Sequence, residues 1–180
     1  MTHLLRTALS CGTGLALLAA GTAANAAGSA STSLTISANI AANCTISVTP
    51  VAFGAYDGVN TNASSALTGS GSVSVLCTSG SSPWVGLDTG LGGTGGSDAT
   101  PVRALKDGGG DALSYTLYQP AASGSSSATS TVWGNTSGTA PSPVSSTGSS
   151  ITWTIYGAIA AGQNKPTGTY GDTVQATVNF

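Results

Sequence analysis

Apolar and polar residues alternate strictly from Ser33 to Ile40: Leu34, Ile36, Ala38 and Ile40 stand against Ser33, Thr35, Ser37 and Asn39. A period of two predicts a strand with one apolar edge. The same alternation recurs along the chain. Cys44, Ile46 and Val48 share a face until Pro50, which is expected to end that run. Later faces are Val73, Val75 and Cys77; Leu113, Tyr115 and Leu117; Ile151, Trp153 and Ile155; and finally Val174, Ala176, Val178 and Phe180. Trp84, Val85 and Leu87 after Pro83 predict a short buried strand, and Ala104 to Lys106 extends a neighbouring one.

Between these runs lie turn formers. Asp57-Gly58 with the polar stretch 60–65, and Asp107-Gly108-Gly109-Gly110 before Leu113, read as turns. Gly90 to Gly96 reads as a flexible loop. Residues 121–149 are rich in Ser, Thr, Gly, Ala and Pro and predict a long loop system holding one short strand at Val132-Trp133. No turn dipeptide joins the 33–40 segment to the next run, because Ala41, Ala42 and Asn43 lead straight into Cys44. About six strands besides the N-terminal one, with no convincing helix, predict an all-β, two-sheet antiparallel sandwich. Six is one fewer than a seven-strand immunoglobulin-like sandwich has. Such a fold would lack its last strand and expose an apolar groove, a hazard unless another chain covers it.

Composition narrows the picture. His3 and Arg6, the apolar stretch around Leu15 to Ala20 and the small-x-small site Ala24-Asn25-Ala26 predict a cleavable secretory signal over residues 1–26, which takes in Cys11. The apolar stretch is too short to span a bilayer, so no membrane insertion is expected after cleavage. Cleavage would remove His3, the one histidine. Arg103, Lys106 and Lys165 then face Asp57, Asp88, Asp98, Asp107, Asp111 and Asp172, and this acidic balance does not attract nucleic acid. Cys44 and Cys77 remain as an even pair. In an oxidising compartment they predict a disulfide, with two buried free thiols as the alternative. Closing that loop would contribute roughly 3–4 kcal/mol on the chain-entropy account.

Catalysis has little to rest on. A nucleophilic serine usually needs an adjacent base, and residues 27–180 hold no histidine; the three basic residues fall in turn-like contexts. The chain contains no glutamate, and its aspartates flank glycine-rich turns, where Asp is usually a turn former. No catalytic, cofactor or metal residues are assigned. Asp107 and Asp111 match no defensible calcium loop. Trp84, Trp133 and Trp153 could stack on sugars, but core packing is the commoner role, and Trp133 in the polar loop is the one expected at the surface.

Several stretches carry a family likeness: Asn43-Cys44-Thr45-Ile46, Val51-Ala52-Phe53-Gly54-Ala55-Tyr56, Cys77, and Gly168-Thr169-Tyr170-Gly171-Asp172-Thr173-Val174 leading to Phe180. With these the chain resembles the spore coat U domain family, which includes the Csu-type subunits of archaic chaperone-usher pili. The resemblance implies an incomplete immunoglobulin-like sandwich completed by donor-strand complementation. It divides the chain into a signal peptide (1–26), a donor-strand segment (27–41) and a pilin-like domain (42–180). Leu34, Ile36, Ala38 and Ile40 would be donor residues, and Val174, Ala176, Val178 and Phe180 would line the acceptor groove. Cys44 and Cys77 match the family's disulfide positions. The implied partners are a periplasmic chaperone, an outer-membrane usher and further copies in a fibre. The implied route runs from periplasm to cell surface, with roles in adhesion and biofilm formation. Periodicity alone leaves open that the 33–40 strand pairs within its own domain, as in a self-contained secreted spore coat or surface-layer protein. A carbohydrate-binding tip adhesin would usually add a second domain.

Overall fold

The computed structural model describes residues 27–180; the expected leader and Cys11 lie outside the described residues. It divides into a segment ending at Ala38 and a folded unit, Asn39–Phe180. Nine strands are present among the described residues: β1 (Cys44–Ala52), β2 (Leu67–Cys77), β3 (Trp84–Leu87), β4 (Gly95–Gly96), β5 (Pro101–Lys106), β6 (Ala112–Pro120), β7 (Ala128–Val132), β8 (Ile151–Ile159) and β9 (Ala176–Asn179). All named pairings are antiparallel.

The larger sheet has the order β1-β2-β8-β6-β5-β4, with β7 pairing the far end of β6. One edge of β6 meets β8, while its other edge is shared in succession by β5 over Ala112–Tyr115 and by β7 beyond Tyr118. A separate two-stranded sheet pairs β3 with β9, setting Val85 opposite Val178 and Leu87 opposite Ala176. The core lies between the sheets. Val73, Val75, Leu117, Trp153 and Ile155 from the large sheet meet Val85 and Leu87 from the small one. The expected inward faces of β2, β6 and β8 are therefore the buried ones, because each alternation carries its apolar members to one side of the pleat.

Tertiary context moved several elements. β1 does not stop at Pro50. The ladder shifts register between Thr49 and Ala52, and this irregularity on an edge strand accommodates a residue without an N–H. Beyond the shift, Val51 and Phe53 lie over β8. A Cβ added at Gly157 would sit 2.6 Å from the Phe53 ring and 2.9 Å from Val51 Cγ1, so the crossing needs glycine there. Residues 33–40, expected as a strand, form none. The 90–96 loop is not free: Gly90 N–H donates to Asp88 Oδ1 at 2.9 Å and Gly92 N–H to Asp172 Oδ1 at 2.7 Å. The two predicted aspartate turns are present as expected. Asp57 Oδ1 accepts from the Val59 and Asn60 amides, and Asp107 Oδ1 from those of Gly109 and Asp111.

Two placements overturn the sequence expectation. Trp133 is fully buried, not exposed: it follows β7 directly, and its indole N–H donates to the Val85 carbonyl at 2.8 Å. Arg103 is not in a turn. It sits on β5, 1% exposed, where its guanidinium donates to the carbonyls of Leu87, Asp88 and Trp133 at 2.8–2.9 Å. Both side chains satisfy backbone carbonyls along β3, whose remaining edge also bonds Gly134 through the Leu87 amide.

Candidate functional site: a groove between two unpaired edges

β1 is hydrogen-bonded only to β2, and β9 only to β3, among the described residues. Each strand thus presents a free row of N–H and C=O groups on one side. The side chains between them show the same incompleteness. Ile46 stands opposite buried Val75 and Val48 opposite buried Val73, so both face the core side, yet they are 38% and 59% exposed. Inward-facing apolar residues left this open mean that nothing in residues 39–180 covers that side of the core.

A cavity of about 270 Å³ lies between these edges. Its walls are Val48 to Val51 with Phe53 on one side and Asp172 to Val174 with Ala176 on the other; Leu87, Leu105, Tyr115, Leu117 and Ile155 form the floor. A second cavity, of about 820 Å³, continues from it between residues 51–59 and 163–172. Going from Val48 towards Val59 leads from the first cavity into the second, whereas going from residue 163 towards Ala176 leads the other way. The two edges therefore run in opposite directions along one groove.

Polar contacts brace the wall that precedes β9. Asp88 Oδ1 accepts from the Gln175 amide at 2.9 Å, and the Gln175 and Thr173 carbonyls accept from the amides of Asp88 and Leu91 at 3.1 Å each. Tyr115, reaching from β6 in the opposite sheet, donates its hydroxyl to Asp172 Oδ2 at 2.6 Å. Burial, then the carboxylate hydrogen bond, pushes the Tyr115 phenol far above its ordinary value. Burial lowers the Arg103 pKa, opposed by Tyr115, Asp88 and Asp172 nearby.

Of the four expected acceptor residues, Val174 and Ala176 line the cavity. Val178 is half-buried against the core, and Phe180 is 58% exposed beyond the end of β9. The expected donor residues Leu34, Ile36 and Ile40 are 83%, 87% and 83% exposed. Cys44 and Cys77 form a disulfide, with Cα atoms 4.1 Å apart as directly opposed residues of β1 and β2. Sequence reasoning missed the second wall, Val48 to Phe53, and the floor. The β1 alternation pointed to that wall's inward face, but its missing neighbour is a property of the assembled sheets. No group of His, Cys, Asp and Glu among the described residues is arranged to hold a metal ion.

These features define an all-β, immunoglobulin-like antiparallel sandwich whose first and last strands flank an open groove. The chain belongs to the Spore Coat Protein U domain family, whose model matches residues 30–177. Its structure is similar, with a TM-score of 0.50 and 21% sequence identity, to a chain in the crystal structure of the CsuC–CsuE chaperone–tip adhesion subunit pre-assembly complex from the archaic chaperone-usher Csu pili of Acinetobacter baumannii. The likeness covers 78% of this chain and 40% of that one, so this chain spans less than half the neighbour's length. A search of curated protein sequences finds no match.

Proposed function

We propose that this protein is a structural, non-enzymatic subunit of a secreted surface fibre, assembled through the chaperone-usher pathway by donor-strand exchange. The carrying observation is the pair of unpaired edges, β1 and β9, with Ile46 and Val48 facing inward but exposed. A strand laid between them would gain two ladders and cover the core, which is how strand addition confers affinity. The chain carries a segment with the matching pattern in Leu34, Ile36, Ala38 and Ile40. Burying its three large side chains is worth roughly 5–9 kcal/mol before backbone bonds are counted. In this reading another copy supplies the segment, and a periplasmic chaperone holds the groove until the usher exchanges it. The fibre then stands on the cell surface and serves adhesion and biofilm formation.

Orientation follows from the edges. Pro50 and the register shift interrupt the free edge of β1, whereas β9 is free of proline. An incoming strand would therefore take its main ladder from the wall Asp172 to Ala176 that leads into β9 and run antiparallel to it, the slightly stronger pairing.

The test is the double substitution Ile36→Asp and Ile40→Asp in the native host. Export and chaperone binding should persist while the SDS-resistant polymer ladder disappears. Normal fibres from this variant would overturn the proposal.

A further inference from the structure

The groove is not uniform along its length. Val51, Phe53, Leu105 and Asp172 wall both cavities, so one cavity gives way to the other at these residues. The Tyr115 hydroxyl meets Asp172 Oδ2 at this point, joining the large sheet to the opposite wall, and the Tyr115 ring packs edge-on against Phe53 with centroids 6.0 Å apart. The groove thus reads as cavity, bridge, cavity.

The N-terminal segment has a matching rhythm. Its inward positions are large, large, small, large: Leu34, Ile36, Ala38, Ile40. Successive inward positions of a strand are about 6.6 Å apart, so one of the four comes over the point where Tyr115 in the floor meets Asp172 in the wall. Resting on the donor-strand proposal above, we propose that the Tyr115–Asp172 bridge is a specificity element that admits only a small donor residue, and that Ala38 of the neighbouring copy is that residue.

With the donor antiparallel to β9, Ala38 stands opposite Asp172. Ile36 and Leu34 then enter the 270 Å³ cavity, over the floor formed by Leu117, Ile155 and Leu87. Ile40 falls into the larger cavity, where Leu105, Leu113 and Ile159 supply apolar wall. The bridge therefore sets register as well as size. Sliding the donor by two residues would press Ile36 or Ile40 against it.

The experiment uses the full chain in its native host, read as the SDS-resistant polymer ladder. Ala38→Leu should reduce polymer by about tenfold or more, the scale of an overpacked contact. Tyr115→Leu alone should still polymerise, and Ala38→Leu with Tyr115→Leu should restore the ladder. Full polymer from Ala38→Leu, or no restoration while Tyr115→Leu alone polymerises, overturns the inference.

In case Tyr115→Leu does not fold, synthetic peptides of residues 29–42 are competed against polymerisation of the wild-type chain. Peptides carrying Gly or Ser at 38 should inhibit like the parent, and Val or Leu at 38 progressively less, with Ile36→Leu unaffected. Equal inhibition by all of them overturns the size selection. Absence of inhibition by the parent peptide itself overturns the donor-strand proposal.

Discussion

The Tyr115 hydroxyl donates to Asp172 Oδ2 across 2.6 Å, joining the sheet that carries β6 to the wall that leads into β9. Asp172 also accepts from the amides of Gly92 and Thr173 at 2.7 Å each, so one carboxylate gathers the glycine-rich loop, the groove wall and the opposite sheet. Replacing Tyr115 by Phe keeps the ring against Phe53 and removes only the hydroxyl. The expected cost is about 1.5–3 kcal/mol, as for a hydrogen bond to a charged group. Urea unfolding of the purified chain measures it.

The same phenol makes stability fall in alkali. Its folded-state pKa lies above the ordinary 10.0, so its contribution is complete below pH 10.0 and is lost as pH rises towards the folded value, because the unfolded chain ionises first. Unfolding free energy should decline above pH 10.0 in the wild type and decline less steeply in Tyr115→Phe. Parallel curves for the two proteins would refute this assignment.

Arg103 holds three carbonyls that no other side chain reaches, those of Leu87, Asp88 and Trp133. Arg103→Met should cost about 3 kcal/mol or more by leaving buried acceptors without a donor. Arg103→Lys should recover little, since an ammonium lacks the planar fork that spans separate carbonyls. Thermal unfolding followed by near-ultraviolet circular dichroism also reports on the neighbouring Trp133.

The disulfide ties β1, one wall of the groove, to β2. Cys44→Ser with Cys77→Ser should destabilise the chain by roughly 2–5 kcal/mol. Because β1 is held on one edge only, its amides should lose hydrogen-exchange protection before those of β8.

Gly157→Ala places a methyl group against the Phe53 ring and Val51. Overpacking of this kind costs about 1–3 kcal/mol. It also displaces residues shared by both cavities, so polymer yield should fall further than the stability change alone would produce. An Ala158→Gly control on the outward side of the same strand separates the two effects.

Much of the fold follows from local pattern. Inward faces such as Val73-Val75-Cys77, Leu113-Tyr115-Leu117 and Ile151-Trp153-Ile155 are readable in the sequence because the pleat has a period of two, and partition from water selects the apolar face. The aspartate turns at Asp57 and Asp107 are local as well, since the carboxylate bonds amides two to four residues onward.

What the alternation could not reveal was which strands lie side by side. Trp133 looked exposed because its neighbours in sequence are polar, yet its neighbours in space are Val85 and Leu117. Arg103 looked like a turn residue because nothing near it in sequence marks the three carbonyls it serves. The groove is of the same kind. Ile46 and Val48 alternate like any core strand, and only the placement of β1 and β9 on either side of the cavity shows that their side of the core is open. By itself the sequence determined most of the strands with their inward faces, the aspartate turns and an apolar N-terminal segment resembling a donor, while the short β4 and the run of β1 past Pro50 escaped it. Tertiary structure alone decided that β1 and β9 flank a groove and that Tyr115 in its floor is tied to Asp172 in its wall, because those relations join residues dozens of positions apart through contacts that leave no periodic trace.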